Sequence, residues 1–240
     1  MEAWLLDYER RAKLEAWQQT IAYSFHDLTL LDTALTHTSY VKGEGKGGVH
    51  NERMEFLGDA VLELSVSRYL YSNYPQQNEG VMTRIRALTV CEDALFQAAR
   101  KLELGSRLRI SRGEERSGGR EKPSILSDAL EAVIGAIYLD GGIEAADAFI
   151  LRFIAPAVQE AEARVNTKDY KTQLQEYVQR EHRGGVEYVL QGESGPAHKK
   201  TFVMQCVLGN EALGAGEGAS KQEAGQAAAK AALLQLGQLS

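Results

Sequence analysis

Apolar residues recur at spacings of three and four through most of the first two thirds of the chain, the period of helices that bury one face. "LLDTALTHTSY" (30–40) carries that spacing, and the glycine-rich "VKGEGKGGVH" (41–50) interrupts it as a loop. "ERMEFLGDAVLELSVSRYLYSNY" (52–74) reads as a long helix stopped by Pro75, because the residue before a proline is pushed out of the helical region. "EGVMTRIRALTVCEDALFQAARKL" (79–102) holds one or two further helices, and "SRGEERSGGR" (111–120) is a polar loop. "KPSILSDALEAVIGAIYLDGG" (122–142) starts near a proline and ends at paired glycines, the usual asymmetry of a helix. "IEAADAFILRFIAPAV" (143–158) is another helix. Period-2 alternation is nearly absent, so residues 1–165 are expected to be all-α.

The pattern changes after Val165, across a short polar link at 164–168. "NTKDYKTQLQEYVQR" reads as a helix, "VEYVLQGESG" and "TFVMQCVLG" as strands, "EALGAGEG" as a third short strand, and "SKQEAGQAAAKAALLQL" as a closing helix. Ser220 and Glu223 have the spacing of a capping box at its start. Residues 168–240 are thus expected to be a small second domain, α+β in the order α-β-β-β-α.

Composition narrows the possibilities. A 44% apolar and 25% charged chain is ordinary for a folded protein. The net charge of −6 lies wholly in residues 1–167, since residues 168–240 hold eight basic and eight acidic residues. The molecule as a whole is therefore no basic nucleic-acid glue. Two cysteines without C-x-x-C spacing argue against a disulfide framework or a thiolate zinc site. No apolar core of signal-peptide length occurs in the first 25 residues, and no stretch reaches the roughly 20 apolar residues of a membrane span. The expectation is a soluble cytoplasmic protein with no membrane partner.

The candidate chemistry sits in "NERMEFLGDA" (51–60). Glu52, Glu55 and Asp59 fall within roughly 60° of one helix face, on a segment that is otherwise largely apolar. Carboxylates in such surroundings are costly and take up protons unless basic partners or cations compensate them. Asn51 as N-cap and the dipole of a first turn account for Glu52, less well for Glu55, and not for Asp59. A second apolar helix carries Asp128 and Glu131 three residues apart. Two helices that each contribute an acidic pair make a carboxylate metal site in a helical bundle. Glu55 and Asp59 are about 6 Å apart along the axis, close enough to share an ion, and Glu52 is about 10 Å from Asp59. Donors that are all hard oxygens suit Mg²⁺, with Mn²⁺ as a substitute, and not zinc. Such a site serves phosphoryl chemistry. His37, in "LTHTSY", reads as a packed or hydrogen-bonded histidine and Glu63 as a surface acid. "GEGKGG" lacks the spacing of a phosphate-binding loop.

"NERMEFLGDAVLEL" resembles the signature of the ribonuclease III family. So do "THTSY", "NEGVMTRIRA", "ELGSRLRISRGEERSGGR" and "SILSDALEAVIGAIYLDGG", in the same order. Residues 170–233 resemble a double-stranded-RNA-binding domain, and together the likeness spans about residues 20–238. The resemblance implies an all-α endonuclease domain followed by an α+β RNA-binding domain. It implies that Glu55, Asp59, Asp128 and Glu131 bind metal, with Asp59 and Glu131 most directly catalytic. Glu52 and Glu79 match two further acids near the cleft, tied to dimer contacts and substrate placement. It also implies a homodimer in which each subunit cuts one strand of an RNA duplex, leaving 5′-phosphate and 3′-hydroxyl ends, with structured precursors such as ribosomal RNA as substrates. Arg84, Arg86, Arg107, Arg109, Arg112, Arg116 and Arg120 are candidates for phosphate contact or for pairing with acids. The simpler reading of any one is a solvated or ion-paired side chain.

In the second domain, Lys221 follows Ser220 at a helix N-terminus, where backbone N–H groups favour phosphate. His198, Lys199 and Lys200 lie on a strand-connecting loop suited to a minor groove. Thr172, Gln175 and Gln179 share a helix face able to meet 2′-hydroxyls, the feature that separates RNA from DNA. Gln222 stands where the family usually has a second basic residue, and Gly225 replaces a better helix former, so the phosphate clamp and the helix are expected to be weaker. The rival readings are a duplex-binding regulator that seldom cuts and a metal phosphodiesterase acting on DNA or small molecules.

Overall fold

The computed structural model describes residues 7–44, 48–166, 170–181, 184–196 and 200–239. The chain divides between Glu162 and Ala163 into two compact units. The first is helical: α1 (Tyr8–Ile21), α2 (Leu28–Ala34), α3 (Thr38–Glu44), α4 (Glu52–Asn73), α5 (Glu79–Thr89), α6 (Glu92–Lys101), α7 (Arg112–Arg116) and α8 (Pro123–Asn166). Single 3₁₀ turns lie at Leu104–Arg107 and Gly119–Glu121. The last helix is two helices end to end. Gly142, at φ 78°, breaks it at the paired glycines that the sequence pattern marks as a stop. Asp140 anchors the break by accepting hydrogen bonds from the Tyr23 hydroxyl at 2.7 Å and from the backbone N–H groups of His26 and Asp27, both at 2.9 Å.

The core of this unit runs along the first part of α8, where Leu126, Leu130, Val133, Ile134 and Ile137 are buried. Leu62, Val66 and Leu70 of α4 and Leu14, Trp17 and Ile21 of α1 are buried with them. Trp17 satisfies its one polar group by donating its Nε1–H to the Leu102 carbonyl at 2.8 Å.

Several local expectations need correction. The charge-rich segment around Arg10 and Lys13, to which the sequence pattern assigned no element, is a full helix, since Leu14, Trp17 and Ile21 fall at helical spacing and Asp7 caps it by accepting from the Arg10 N–H at 2.7 Å. Residues 30–40 are not one helix. The chain leaves α2 at Leu35, Thr36 forms a parallel bridge with Arg109, and α3 begins at Thr38 and runs into the glycine-rich stretch as far as Glu44. The polar loop at 111–120 contains α7, capped by Ser111 through the Glu114 N–H at 3.1 Å. Asn51 precedes α4 but its side chain caps nothing; its backbone N–H is spent on the Thr36 carbonyl at 2.9 Å. Nor is α4 buried on all sides. Phe56 is 81% exposed, Leu64 51% and Tyr71 78%.

The second unit is α9 (Tyr170–Arg180), β1 (Val186–Ser194), β2 (Thr201–Leu208), β3 (Glu211–Gly218) and α10 (Lys221–Gln235), the α-β-β-β-α order read from the sequence. The sheet is antiparallel in the order β1-β2-β3, with Tyr188 opposite Cys206 and Cys206 opposite Gly214. Its core joins Leu174 and Val178 of α9, Cys206 and Leu213 of the sheet, and Ala228, Ala229 and Leu233 of α10. Gly214, Gly216 and Gly218 explain why so weak a strand former as β3 is a strand. Side chains there would strike the backbone of α10, so their absence lets the alanine-rich helix lie directly on the sheet.

Candidate metal centre and RNA-binding face

α4 and the first part of α8 touch backbone to backbone. A Cβ at Gly58 would overlap the carbonyl of Glu131, and one at Gly135 would overlap the carbonyl of Met54. These two glycines remove the spacing that side chains normally impose between helices. Residues just before and after them are thereby brought face to face.

The acids are among those residues. Carboxylate oxygens of Glu55, Asp128 and Glu131 lie within 4.8 Å of one another, all three side chains half-buried. Asp59, one turn further along α4, is exposed, and its charge acts on both Glu131 and Glu55. Burial pushes the Glu131 carboxyl up to about 8, and the negative charges of Asp59, Asp128 and Glu55 add to the rise. Glu55 is raised by burial and by Asp128, Glu52 and Asp59. Asp128 is raised by burial and by Glu92, against a lowering influence of His37. Among the described residues, no lysine or arginine forms an ion pair with any of the four. Of the two ways to compensate such acids, basic partners are therefore not found among the described residues. The donors are oxygens of carboxylates alone, a set that fits a hard divalent ion.

The remaining acids and bases of the sequence reading divide. Glu52 is exposed, 3.7 Å from His50 Nδ1, and its charge still acts on Glu55. Glu79, at the start of α5, accepts from the Thr83 hydroxyl at 3.0 Å and lines a different groove, with Ser67, Tyr71, Met82 and Arg86. Most of the arginines prove structural. Arg86 pairs with Glu63 at 2.9 Å, Arg107 with Glu103 at 3.7 Å and Arg109 with Asp32 at 2.7 Å. Arg120 pairs with Glu115 and donates to the Gly105 and Leu108 carbonyls, all at 2.8 Å. Arg112 and Arg116 are exposed on α7. His37 is hydrogen-bonded, as read, to Ser39. Glu92 and Glu114 were not singled out from the sequence. They reach the field of Asp128 and His37 from α6 and α7, and no local pattern marks a contact made between distant elements.

In the second unit, Ser220 accepts from the Glu223 N–H at 3.1 Å, and Glu223 reaches back to the Ala219 N–H at 3.0 Å. The capping box forms with its return bond one residue earlier than the motif describes. Lys221 opens α10, exposed. Gln179 is exposed and Thr172 partly buried, while Gln175 accepts from the Val186 N–H at 3.4 Å. Lys200 pairs with Glu193 across the β1–β2 hairpin at 3.0 Å; His198 and Lys199 lie outside the described residues. Gly225 is not a flaw in α10. A side chain there would overlap the end of Lys171, whose ammonium sits 4.2 Å from the centre of the Tyr188 ring.

Comparison with known proteins agrees with both units. The Ribonuclease-III-like family matches residues 27–158, and the double-stranded RNA binding motif matches residues 170–236. Ribonuclease 3 of Caldanaerobacter subterraneus is 51% identical over 221 residues, covering 92% of this chain and 96% of that protein. Ribonuclease 3 of Listeria monocytogenes serotype 4b is 46% identical over 223 residues, 92% of this chain and 97% of that one. A solved nuclease domain of ribonuclease III from Campylobacter jejuni, described for flexibility in a region involved in dimer formation, superposes with a TM-score of 0.56. It is 46% identical and covers 60% of this chain and 97% of its own.

Proposed function

This chain belongs to the ribonuclease III family of endoribonucleases, and from that premise we propose that it hydrolyses double-stranded RNA with Mg²⁺, leaving 5′-phosphate and 3′-hydroxyl ends. The observation that carries the reading is the meeting of Glu55, Asp128 and Glu131 within 4.8 Å, with no cationic side chain to compensate them among the described residues. Glu55, Asp59, Asp128 and Glu131 would hold the ion, Mn²⁺ serving as a substitute. When bound, the ion supplies charge neutralisation at the phosphate and a more acidic water. One of Asp59 and Glu131 would orient the attacking water and accept its proton.

The second unit holds the duplex by shape, phosphate and 2′-hydroxyl contacts. Lys221 and the Ser220 cap meet phosphate, the face of Thr172 and Gln179 meets 2′-hydroxyls, and the loop of His198, Lys199 and Lys200 enters a minor groove. The acting form is a homodimer. Phe56, Leu64 and Tyr71 leave an exposed apolar stripe on α4, beside the groove of about 490 Å³ that Glu79 and Met82 line. A second copy of the chain would cover the stripe, and apolar side chains aligned in this way mark an interface. Substrates are structured precursors, ribosomal RNA and messenger RNA among them, in the cytoplasm.

The deciding experiment incubates the full chain with a labelled RNA duplex, with and without Mg²⁺, and maps the product ends. Cleavage only with the ion, giving 5′-phosphates, is the expected result. RNA that is retarded but intact would favour a non-cleaving regulator, and equal cutting of duplex DNA would favour a general phosphodiesterase.

A further inference from the structure

The helix ends that carry the proposed RNA contacts, in α9 and α10, meet around one lysine. Lys171 precedes Thr172 in the first turn of α9, and its backbone N–H donates to the Gln226 side-chain carbonyl of α10 at 3.1 Å. Its half-buried side chain crosses to Gly225, one turn beyond Lys221. The ammonium comes to rest 4.2 Å from the centre of the Tyr188 ring in β1. That is well inside the roughly 6 Å over which an aromatic face attracts a cation. Tyr188 stands opposite the buried Cys206 in the sheet, and the charge of Lys171 is felt at that thiol. Tyr170 adds a second contact of the same kind, its ring centre 5.5 Å from Lys230 Nζ of α10.

Gly225 makes this path possible. A Cβ there would overlap Lys171 Cε and Nζ, so a larger residue turns the ammonium away from the ring. Glycine is a poor helix former, and the niche it leaves for Lys171 accounts for its place inside α10. An ammonium seated between Gly225 and an aromatic face is directed into the unit and not towards a phosphate. What it does there is tie the first turn of α9 to the first turns of α10. Those turns carry Thr172 on one helix and Lys221 on the other.

We propose that Lys171 is a positioning residue for duplex recognition: held between Gly225 and the Tyr188 ring, it sets the spacing between the Thr172 face of α9 and the Lys221 end of α10 without touching RNA. A duplex read by shape presents its 2′-hydroxyls and phosphates at fixed intervals. Two contact groups held in register beforehand bind it at a lower ordering cost than two that must be aligned on binding. The inference rests on the RNA-binding reading proposed above and names what holds its two parts together.

The test measures binding of a labelled RNA duplex to the full chain by fluorescence anisotropy over a series of salt concentrations, without divalent ions so that no strand is cut. Wild type is compared with Lys171→Met, Gly225→Ala, the double variant and Lys221→Ala, each shown by a thermal melt to be folded at the assay temperature. Lys171→Met keeps the stem and removes the charge, whereas Gly225→Ala keeps the charge and fills its seat. Each is expected to weaken binding by about three- to tenfold, the worth of one cation–π contact, with the slope of log affinity against log salt unchanged. The double variant should bind no more weakly than Lys171→Met, because both changes remove the same contact. Wild-type affinity in either single variant overturns the inference. So does a slope reduced by about one in Lys171→Met, the mark of a direct phosphate contact and the result expected of Lys221→Ala. If Lys171→Met does not fold, Gly225→Ala decides alone. If Lys221→Ala binds as wild type, the RNA-binding face lies elsewhere and the inference falls with it; if Lys221→Ala weakens binding and the other two do not, only the role of Lys171 fails.

Discussion

At the scale of single residues, the chemistry depends on how burial and like charge act on Glu131. Its carboxyl is raised from 4.5 to about 8. Between those values the folded protein holds a proton that the unfolded chain has released, so this group's contribution to stability is complete below about pH 4.5 and is lost as pH rises through about 8. The metal-free protein should show a thermal midpoint that falls across that interval. Glu131→Gln should flatten the fall, and saturating Mg²⁺ should oppose it by taking the place of the proton. Equal pH slopes in wild type and variant would contradict this account. Function gives a second residue-scale prediction. Asp59→Asn or Glu131→Gln should lower the cleavage rate by at least about a hundredfold, with duplex affinity nearly unchanged in a gel-shift assay. Turnover at the wild-type rate in either variant would remove the proposed chemistry.

At the scale of elements, the acids matter only because α4 and α8 lie in backbone contact at Gly58 and Gly135. A methyl group at Gly58 would meet the Glu131 backbone, which cannot swing aside as a side chain can. Gly58→Ala should therefore cost about 1–3 kcal/mol of stability, the usual range for overpacking a tight core. It should also separate the two acidic pairs, so Mn²⁺ affinity should fall with it. Denaturant melts and metal titration together check this, and a variant that binds Mn²⁺ normally would show that the close approach does not build the site. Gly225→Ala offers the contrast. Its methyl would meet the flexible end of Lys171, so the helix propensity gained offsets most of the steric cost and stability should change by less than about 1 kcal/mol.

At the scale of the whole molecule, an acidic nuclease unit and a second unit of balanced charge must together hold a polyanion. Lys221→Ala should weaken duplex binding by similar factors across unrelated sequences and reduce the slope of log affinity against log salt by about one. Strong base preference with a shallow slope would argue that the duplex is not read through its phosphates. The exposed stripe on α4 makes a separate prediction. Phe56→Glu should shift the protein from dimer to monomer in sedimentation while leaving the helical circular dichroism intact, and an unchanged dimer would place the interface elsewhere.

Local order was legible in the chain because helices and strands follow from spacing, turn residues and caps, all contained within a few neighbouring positions. The long helix ending before Pro75, the break at Gly141 and Gly142, the α-β-β-β-α order and the two acidic pairs could be read in that way. The two acidic pairs could be named and their meeting expected, but not the contact that brings them together. Only packing decided that Gly58 and Gly135 bring Glu55 within reach of Asp128 and Glu131, that Lys171 lies across Gly225, and that the charges of Glu92 and His37 act on Asp128 from other elements. Only packing, too, left Phe56 and Tyr71 exposed on a helix whose composition reads as buried. The physical reason is the same throughout. Spacing along a chain determines which face a side chain takes, whereas what stands opposite that face depends on contacts between residues far apart in sequence.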